Sequence, residues 1–242
     1  MLSDFNCKIL DIDRYKFYLG DESTLSIEAQ KLIDDINIIG SCGFHKLILQ
    51  IKADPFLPPY AYKNSALKII QRVNKETFHK LSGKFSIYTV PVLYLTEETP
   101  FAKDLEKFTA FRSNYIFFEL PHADLISDQL FISINHLLYK RNILPVFAEI
   151  QKYLDTYSAI DINRIINIKG AAFQFSLDFN TLSKNINTIK HILNNDGLIL
   201  LGSSCQHAYL NKDEINKCLK YLRQQLGNDE YMKLIIKPRS LL

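Results

Sequence analysis

The run Asn114-Tyr115-Ile116-Phe117-Phe118-Glu119-Leu120-Pro121 decides the fold. Its apolar core is too short for a helix and does not alternate with polar residues. That pattern marks a strand covered on both faces, as in a parallel sheet. One acid, Glu119, closes the run, and Pro121 stops it. The stretch Ile143-Leu144-Pro145-Val146-Phe147-Ala148-Glu149 repeats the arrangement, an apolar strand that finishes on a single carboxylate. A helix-length segment separates the two.

The rest of the chain keeps the same rhythm. Candidate strands lie at Phe5–Leu10, Lys46–Ile51, Phe85–Leu95, Tyr115–Leu120, Leu144–Ala148, Ala171–Phe175 and Leu198–Gly202. Helical apolar faces fall between them. Leu25, Ala29, Leu32, Ile33 and Ile36 mark one, with Ser23 as N-cap and Gly40 as stop. Others are marked by Ala66, Ile69, Ile70 and Val73, by Leu130, Ile134, Leu137 and Leu138, by Leu182, Ile186, Ile189 and Leu193, and by Ile215, Leu219 and Leu222. Seven strand-then-helix units predict an α/β fold, a closed or nearly closed parallel barrel, with an open doubly wound sheet as the alternative. Reactive groups of such a barrel gather at the carboxyl ends of its strands.

The bulk properties narrow the function classes. The chain has 242 residues, 47% of them hydrophobic, enough for one sizeable core, and no repeat or linker divides it, so a single domain over 1–242 is expected. A net charge of +3 with scattered Lys and Arg argues against a nucleic-acid partner. The four cysteines (Cys7, Cys42, Cys205, Cys218) have no CxxC spacing and read as reduced thiols. No signal peptide is visible at the N-terminus, and no apolar run reaches the ~18 residues of a membrane span. A cytoplasmic location follows as an expectation.

The common catalytic motifs are absent. There is no Gly-rich phosphate loop, HExxH or Gly-x-Ser-x-Gly elbow. Thiol-based tyrosine phosphatases need an arginine six positions after the cysteine, and Asn211 stands there relative to Cys205. The six histidines (His45, His79, His122, His136, His191, His207) form no His-x-His. His136 and His191 fall in helices, and only His122 and His207 fall near strand ends. Pro58-Pro59-Tyr60-Ala61-Tyr62 offers an aromatic lip over a pocket, or ordinary packing.

The two acid-tipped runs, helix 182–193, Gly197-Leu198-Ile199-Leu200-Leu201-Gly202, helix 212–226 and the stretch from Tyr231 to Leu242, together with Ser26-Ile27-Glu28, resemble in order and spacing the PHP (polymerase and histidinol phosphatase) superfamily. The branch most similar is the bacterial capsule-locus protein-tyrosine phosphatases. The resemblance implies a distorted TIM-like (β/α)7 barrel. It also implies a cluster of divalent metals, usually three and often manganese, held by His, Asp and Glu. Such metals polarise phosphate oxygens and activate water.

The ligand positions have diverged. Where the family places His-x-His after its first strand, this chain has Asn6 and Lys8. Lys52 stands for a second-strand His and Tyr94 for a third-strand Glu. Glu119 matches the fourth-strand Glu, and Glu149 replaces the fifth-strand His of Ala-His-x-Glu-Arg, whose arginine becomes Lys152. The last motif, Ser-Asp-x-His, reads Ser203-Ser204-Cys205-Gln206, with His207 one place later. Asp11 or Asp13 matches a first-loop acid. The residual metal candidates are therefore Asp13, Glu119, Glu149 and His207.

Protonated lysine is a poor ligand and repels cations. Lys8 and Lys52 are expected to replace the metals as counter-charges to Glu119 and Glu149, with Asn6, Tyr94 and Gln206 completing the hydrogen bonds. Lys8, Lys52 and Lys152 are the candidate anion-binding residues. The resemblance then implies a metal-free pseudophosphatase without a cofactor, acting as a binding or regulatory module. A bacterial tyrosine kinase or a polysaccharide-assembly protein is its implied partner. The alternative is an active, manganese-dependent or other divalent-metal-dependent phosphotyrosine phosphatase with a remodelled site. Sugar or nucleotide binding on the same scaffold is a third reading.

Overall fold

The computed structural model describes residues 2–7, 37–64, 86–110, 113–122, 126–203 and 212–238. Seven parallel strands form one sheet in sequence order: β1 (Leu2–Cys7), β2 (Phe44–Ala53), β3 (Ser86–Tyr94), β4 (Tyr115–Glu119), β5 (Leu144–Phe147), β6 (Ala172–Ser176) and β7 (Leu198–Gly202). The first and last strands approach one another, so the sheet curls towards closure. The architecture is the distorted TIM-like α/β barrel expected from the sequence.

Strand parity divides the core in two. Ile48, Val90, Val92, Phe117, Val146, Ala172 and Leu200 form an inner apolar cluster. Their neighbours Leu47, Leu93, Ile116, Phe118, Phe147, Phe173 and Leu201 belong to the larger outer cluster beneath the helices. Both faces are apolar, which is why the strands read as unbroken hydrophobic runs. Gln50 and Gln174 place amide groups on the inner face. Gln50 Nε2 donates to Gln174 Oε1 at 2.7 Å. β2 and β6 are not neighbours in the sheet, so this bond spans the barrel interior.

Five helices follow from β4 onward: α1 (Asp128–Lys140), α2 (Gln151–Leu154), α3 (Ala159–Ile166), α4 (Phe179–Asn194) and α5 (Lys212–Ile236). Ser127, Ser158 and Asp178 cap α1, α3 and α4 by accepting from the amides of Leu130, Asp161 and Thr181. Gly197 ends the α4 turn, where a Cβ would meet Ile192 Cγ2 at 2.5 Å. α5 breaks at Gly227, whose φ is 76°.

The expected helices at 130–138, 182–193 and from 215 onward are present. Those at Leu25–Ile36 and Ala66–Val73 lie outside the described residues, as do positions 8–10 of the first expected strand. One element departs from the regular strand-then-helix scheme. β3 and β4 are joined by two short 3-10 turns, Thr99–Phe101 and Leu105–Phe108. Two helices that periodicity did not predict, α2 and α3, fill the β5–β6 connection.

Candidate functional site at the carboxyl ends of the strands

Parity and register bring the expected residues to one end of the barrel. Lys52 follows Ile48 and Gln50 on the inner face of β2. Tyr94 pairs in register with Glu119, and Lys52 pairs with Val92 one step deeper. Lys52 reaches over β3, and its Nζ lies 3.6 Å from Glu119 Oε2. The lysine side chain is 77% exposed and Glu119 is partly buried, so this pair sits at the water boundary. Tyr94 is half exposed, and its main-chain oxygen accepts from Thr99 Oγ1 at 3.1 Å.

Glu149 is held differently. β5 ends at Phe147, and α2 starts at Gln151. Ala148 donates to Phe118 O of β4 at 2.9 Å and Ile150 donates to Gln174 O of β6 at 3.0 Å. With both neighbours tied to flanking strands, the turn falls on Glu149, at φ 49°. That left-handed conformation costs a non-glycine residue roughly 1–2 kcal/mol. The residue is only 5% exposed. Its carboxylate accepts from Lys152 Nζ at 2.5 Å, and its carbonyl accepts from the Lys152 amide at 3.0 Å. The helical spacing of three residues makes this ion pair local.

A second shell of contacts fixes the turn. Gln151 donates through Nε2 to Ser176 Oγ and accepts from the Ser176 amide at 3.3 Å, sealing the end of β6. Tyr153 is buried beneath the mouth, with the exposed His122 ring stacked on it at 5.3 Å and Tyr157 at 5.5 Å on its other side. Tyr157 donates to Pro121 O. Burial pushes the Tyr153 phenol well above the usual range, and the negative charges of Glu119 and then Glu149 push it further.

One expectation changes. Glu119 is partly exposed because it sits at the rim, so it is not a buried carboxylate. Lys152 is a cation against Glu149 that the sequence reading did not pair with it, brought there by one helical turn. Tyr62 follows the packing reading of its segment. It packs on Phe108 with ring centroids 6.4 Å apart, and burial pushes its phenol up to about 12. Tyr60, with Phe56 and Leu57, is the exposed part of that segment. Asn6 lies in β1, whose side chains are not described. Lys8, Asp11, Asp13, Ser204, Cys205, Gln206 and His207 lie outside the described residues.

Sequence reasoning missed Gln50, Gln174, Gln151, Ser176 and Tyr153. Gln174 Nε2 is fully buried and has no hydrogen-bond partner among the described residues. A signal for it existed, since Gln174 interrupts the apolar run Ala171-Ala172-Phe173-Gln174-Phe175.

Among the described residues no three His, Cys, Asp or Glu side chains converge as metal ligands. The two carboxylates at the mouth each face an ammonium, and a divalent cation would have to displace it.

No protein-family profile matches the chain, and no curated protein matches it. Among solved structures it is similar to one described as "Crystal structures of YwqE from Bacillus subtilis and CpsB from Streptococcus pneumoniae, unique metal-dependent tyrosine phosphatases". The TM-score is 0.64 at 14% identity, covering 88% of this chain and 87% of that one. In fold, the protein thus resembles metal-dependent tyrosine phosphatases of the YwqE and CpsB kind.

Proposed function

We propose that the protein is a pseudophosphatase, a catalytically silent barrel of the PHP type that works as a binding or regulatory module. The observation that carries this reading is the pairing of both mouth carboxylates with lysine, Glu119 with Lys52 at 3.6 Å and Glu149 with Lys152 at 2.5 Å. Four opposite charges at the strand ends balance without a metal. Lys52, mostly in water, is placed to meet an incoming oxyanion as a point charge, and Lys152, half exposed, is the second candidate cation. The fold likeness to tyrosine phosphatases suggests a phosphorylated partner, such as a bacterial tyrosine kinase, or a polysaccharide-assembly protein. In this reading the site binds without turnover.

The same fold likeness favours one competing reading, an active enzyme in which Glu119 and Glu149 join Asp13 and His207 as ligands. Metal content and activity measured on the same sample decide between them. The full chain, purified and then supplied with manganese, cobalt or zinc, is expected to retain no stoichiometric metal by plasma mass spectrometry. It is also expected to leave p-nitrophenyl phosphate and a phosphotyrosine peptide intact. Two or more retained ions per chain, with hydrolysis abolished by Glu119→Gln, would establish the enzyme instead.

A further inference from the structure

The outer face of α1 differs from every other long helix described. No Asp, Glu, Lys or Arg lies between Asp128 and Lys140, in a chain that is 23% charged. By contrast, α5 turns Lys212, Asp213, Lys217, Lys220, Arg223 and Asp229 to water. On α1 the solvent-facing positions are Gln129, Ile132, Asn135 and Tyr139, with His136 half-buried among them. Ile132 is 58% and Tyr139 77% exposed. Phe101, 63% exposed, extends the stripe sideways, its ring 4.9 Å from that of His136.

This patch is held rigid. Arg141 donates to Pro100 O at 2.9 Å and to Ala102 O at 3.3 Å, and it pairs with Glu106 at 2.6 Å. Ser133 Oγ donates to Glu97 O at 2.8 Å, and Ser127 Oγ donates to Glu97 Oε1 at 2.5 Å. Thr96 and Thr99 each accept the other's amide through their hydroxyls. The turn that presents Phe101 to water is thus pinned to α1 along its length. An exposed aromatic on a fixed turn is preorganised for docking, since little ordering entropy remains to be lost.

We propose that this face is the interface of a two-fold homodimer in which α1 packs antiparallel on α1 of a second copy. The stripe is complementary to itself. A two-fold axis between Asn135 and His136 sets Ile132 against Tyr139 of the second copy, and Asn135 against His136 of the second copy. It also brings Asp128, which pairs with Arg164 of its own chain at 2.9 Å and remains largely exposed, to within about a turn of Lys140 of the second copy, and it sets the helix dipoles antiparallel. An uncharged centre with aromatic anchors and an opposite-sign rim is the composition of an association surface. The patch is small. A stable interface buries about 800 Å² per partner, and one aromatic side chain supplies roughly 150–250 Å² at most. The dimer should therefore dissociate on dilution. This inference is independent of what the barrel mouth binds.

Sedimentation velocity on the full chain tests it. Between about 1 and 100 μM, a span of about 2.7 kcal/mol in association free energy, the mean mass should rise from one chain towards two. Tyr139→Lys sets a cation against Ile132 of the second copy and should hold the protein monomeric with an unchanged circular dichroism spectrum. Ile132→Lys should do the same. Asn135→Cys, next to the axis, should give a disulfide-linked dimer on mild oxidation, while Gln224→Cys on the exposed face of α5 should not. A wild-type chain that stays monomeric throughout would overturn the proposal. So would a dimer that survives both lysine variants, or equal crosslinking of the two cysteine variants.

Discussion

Glu149 and Glu119 end adjacent strands and both face a lysine, yet their surroundings oppose each other. The Glu149–Lys152 pair closes within one helical turn, against a carboxylate that is almost fully buried. It forms as soon as the β5–α2 turn forms, and it comes with two main-chain anchors on neighbouring strands. The Glu119–Lys52 pair bridges from β2 to β4 across an intervening strand, at 3.6 Å, with the lysine mostly in water. The first pair neutralises a charge the fold could not otherwise bury. The second leaves a cation available. One mouth thus divides into a structural half and a receptive half.

The largest effect should come from breaking the structural half. Lys152→Met removes the ammonium that meets the nearly buried Glu149 carboxylate. Removing one partner of a fully buried pair costs about 3–5 kcal/mol; because Lys152 is half exposed, about 2–3 kcal/mol is expected here. The urea midpoint should fall accordingly. Adding Glu149→Gln to that variant should restore most of the loss, since the buried charge is then gone. A Lys152→Met variant as stable as the parent would place the Glu149 carboxylate in water and erase the distinction.

Tyr153 reports on both halves at once. Its phenol is raised first by burial, then by Glu119, then by Glu149. Ultraviolet titration of phenolate should therefore show the Tyr153 transition moving down in Glu119→Gln and, by less, in Glu149→Gln, whose charge Lys152 already offsets. Raised phenols also set the alkaline limit of the fold. Tyr62 is lifted to about 12 from the usual 10. Below pH 10 folded and unfolded chains both hold that proton. Between 10 and about 12 the unfolded chain releases it first, so stability falls as pH rises through that window. Burial also raises Tyr157, which adds to the same loss. Urea midpoints that stay flat from pH 9 to 12 would contradict this.

Much of the comparison could be read before any coordinates. Strands covered on both faces must be apolar runs, so β4, β5 and β7 were visible, and a lone acid at the tip of a run marks the mouth. The family resemblance grouped Lys52, Tyr94 and Glu119 at the mouth, and strand register agrees. What stayed hidden depends on three-dimensional closure. Only a closed interior brings Gln50 and Gln174 within 2.7 Å, because no neighbouring-strand rule pairs β2 with β6. The positive φ of Glu149 is likewise set by tethers on both sides, and glutamate carries no local preference for it. The β3–β4 connection escaped for the opposite reason: its order comes from Thr96, Thr99 and Arg141 hydrogen bonds, which leave no periodic trace. Helical spacing did offer the Glu149–Lys152 contact, three positions apart, but the sequence reading did not draw it.

The smallest effect belongs to the receptive half. Lys52→Met removes an exposed ammonium that meets its partner at long range. Pairs of this kind contribute about 0–1 kcal/mol, so a change in stability within ~0.5 kcal/mol is expected. Function should respond where stability does not. If Lys52 is the open cation, binding of phosphotyrosine or inorganic phosphate, measured by calorimetry, should weaken in Lys52→Met and weaken with added salt in the parent. Lys52→Arg should preserve most of it. Equal binding by parent and Lys52→Met, or a stability loss matching that of Lys152→Met, would show that the two ion pairs are not different in kind. The mouth would then have no receptive side.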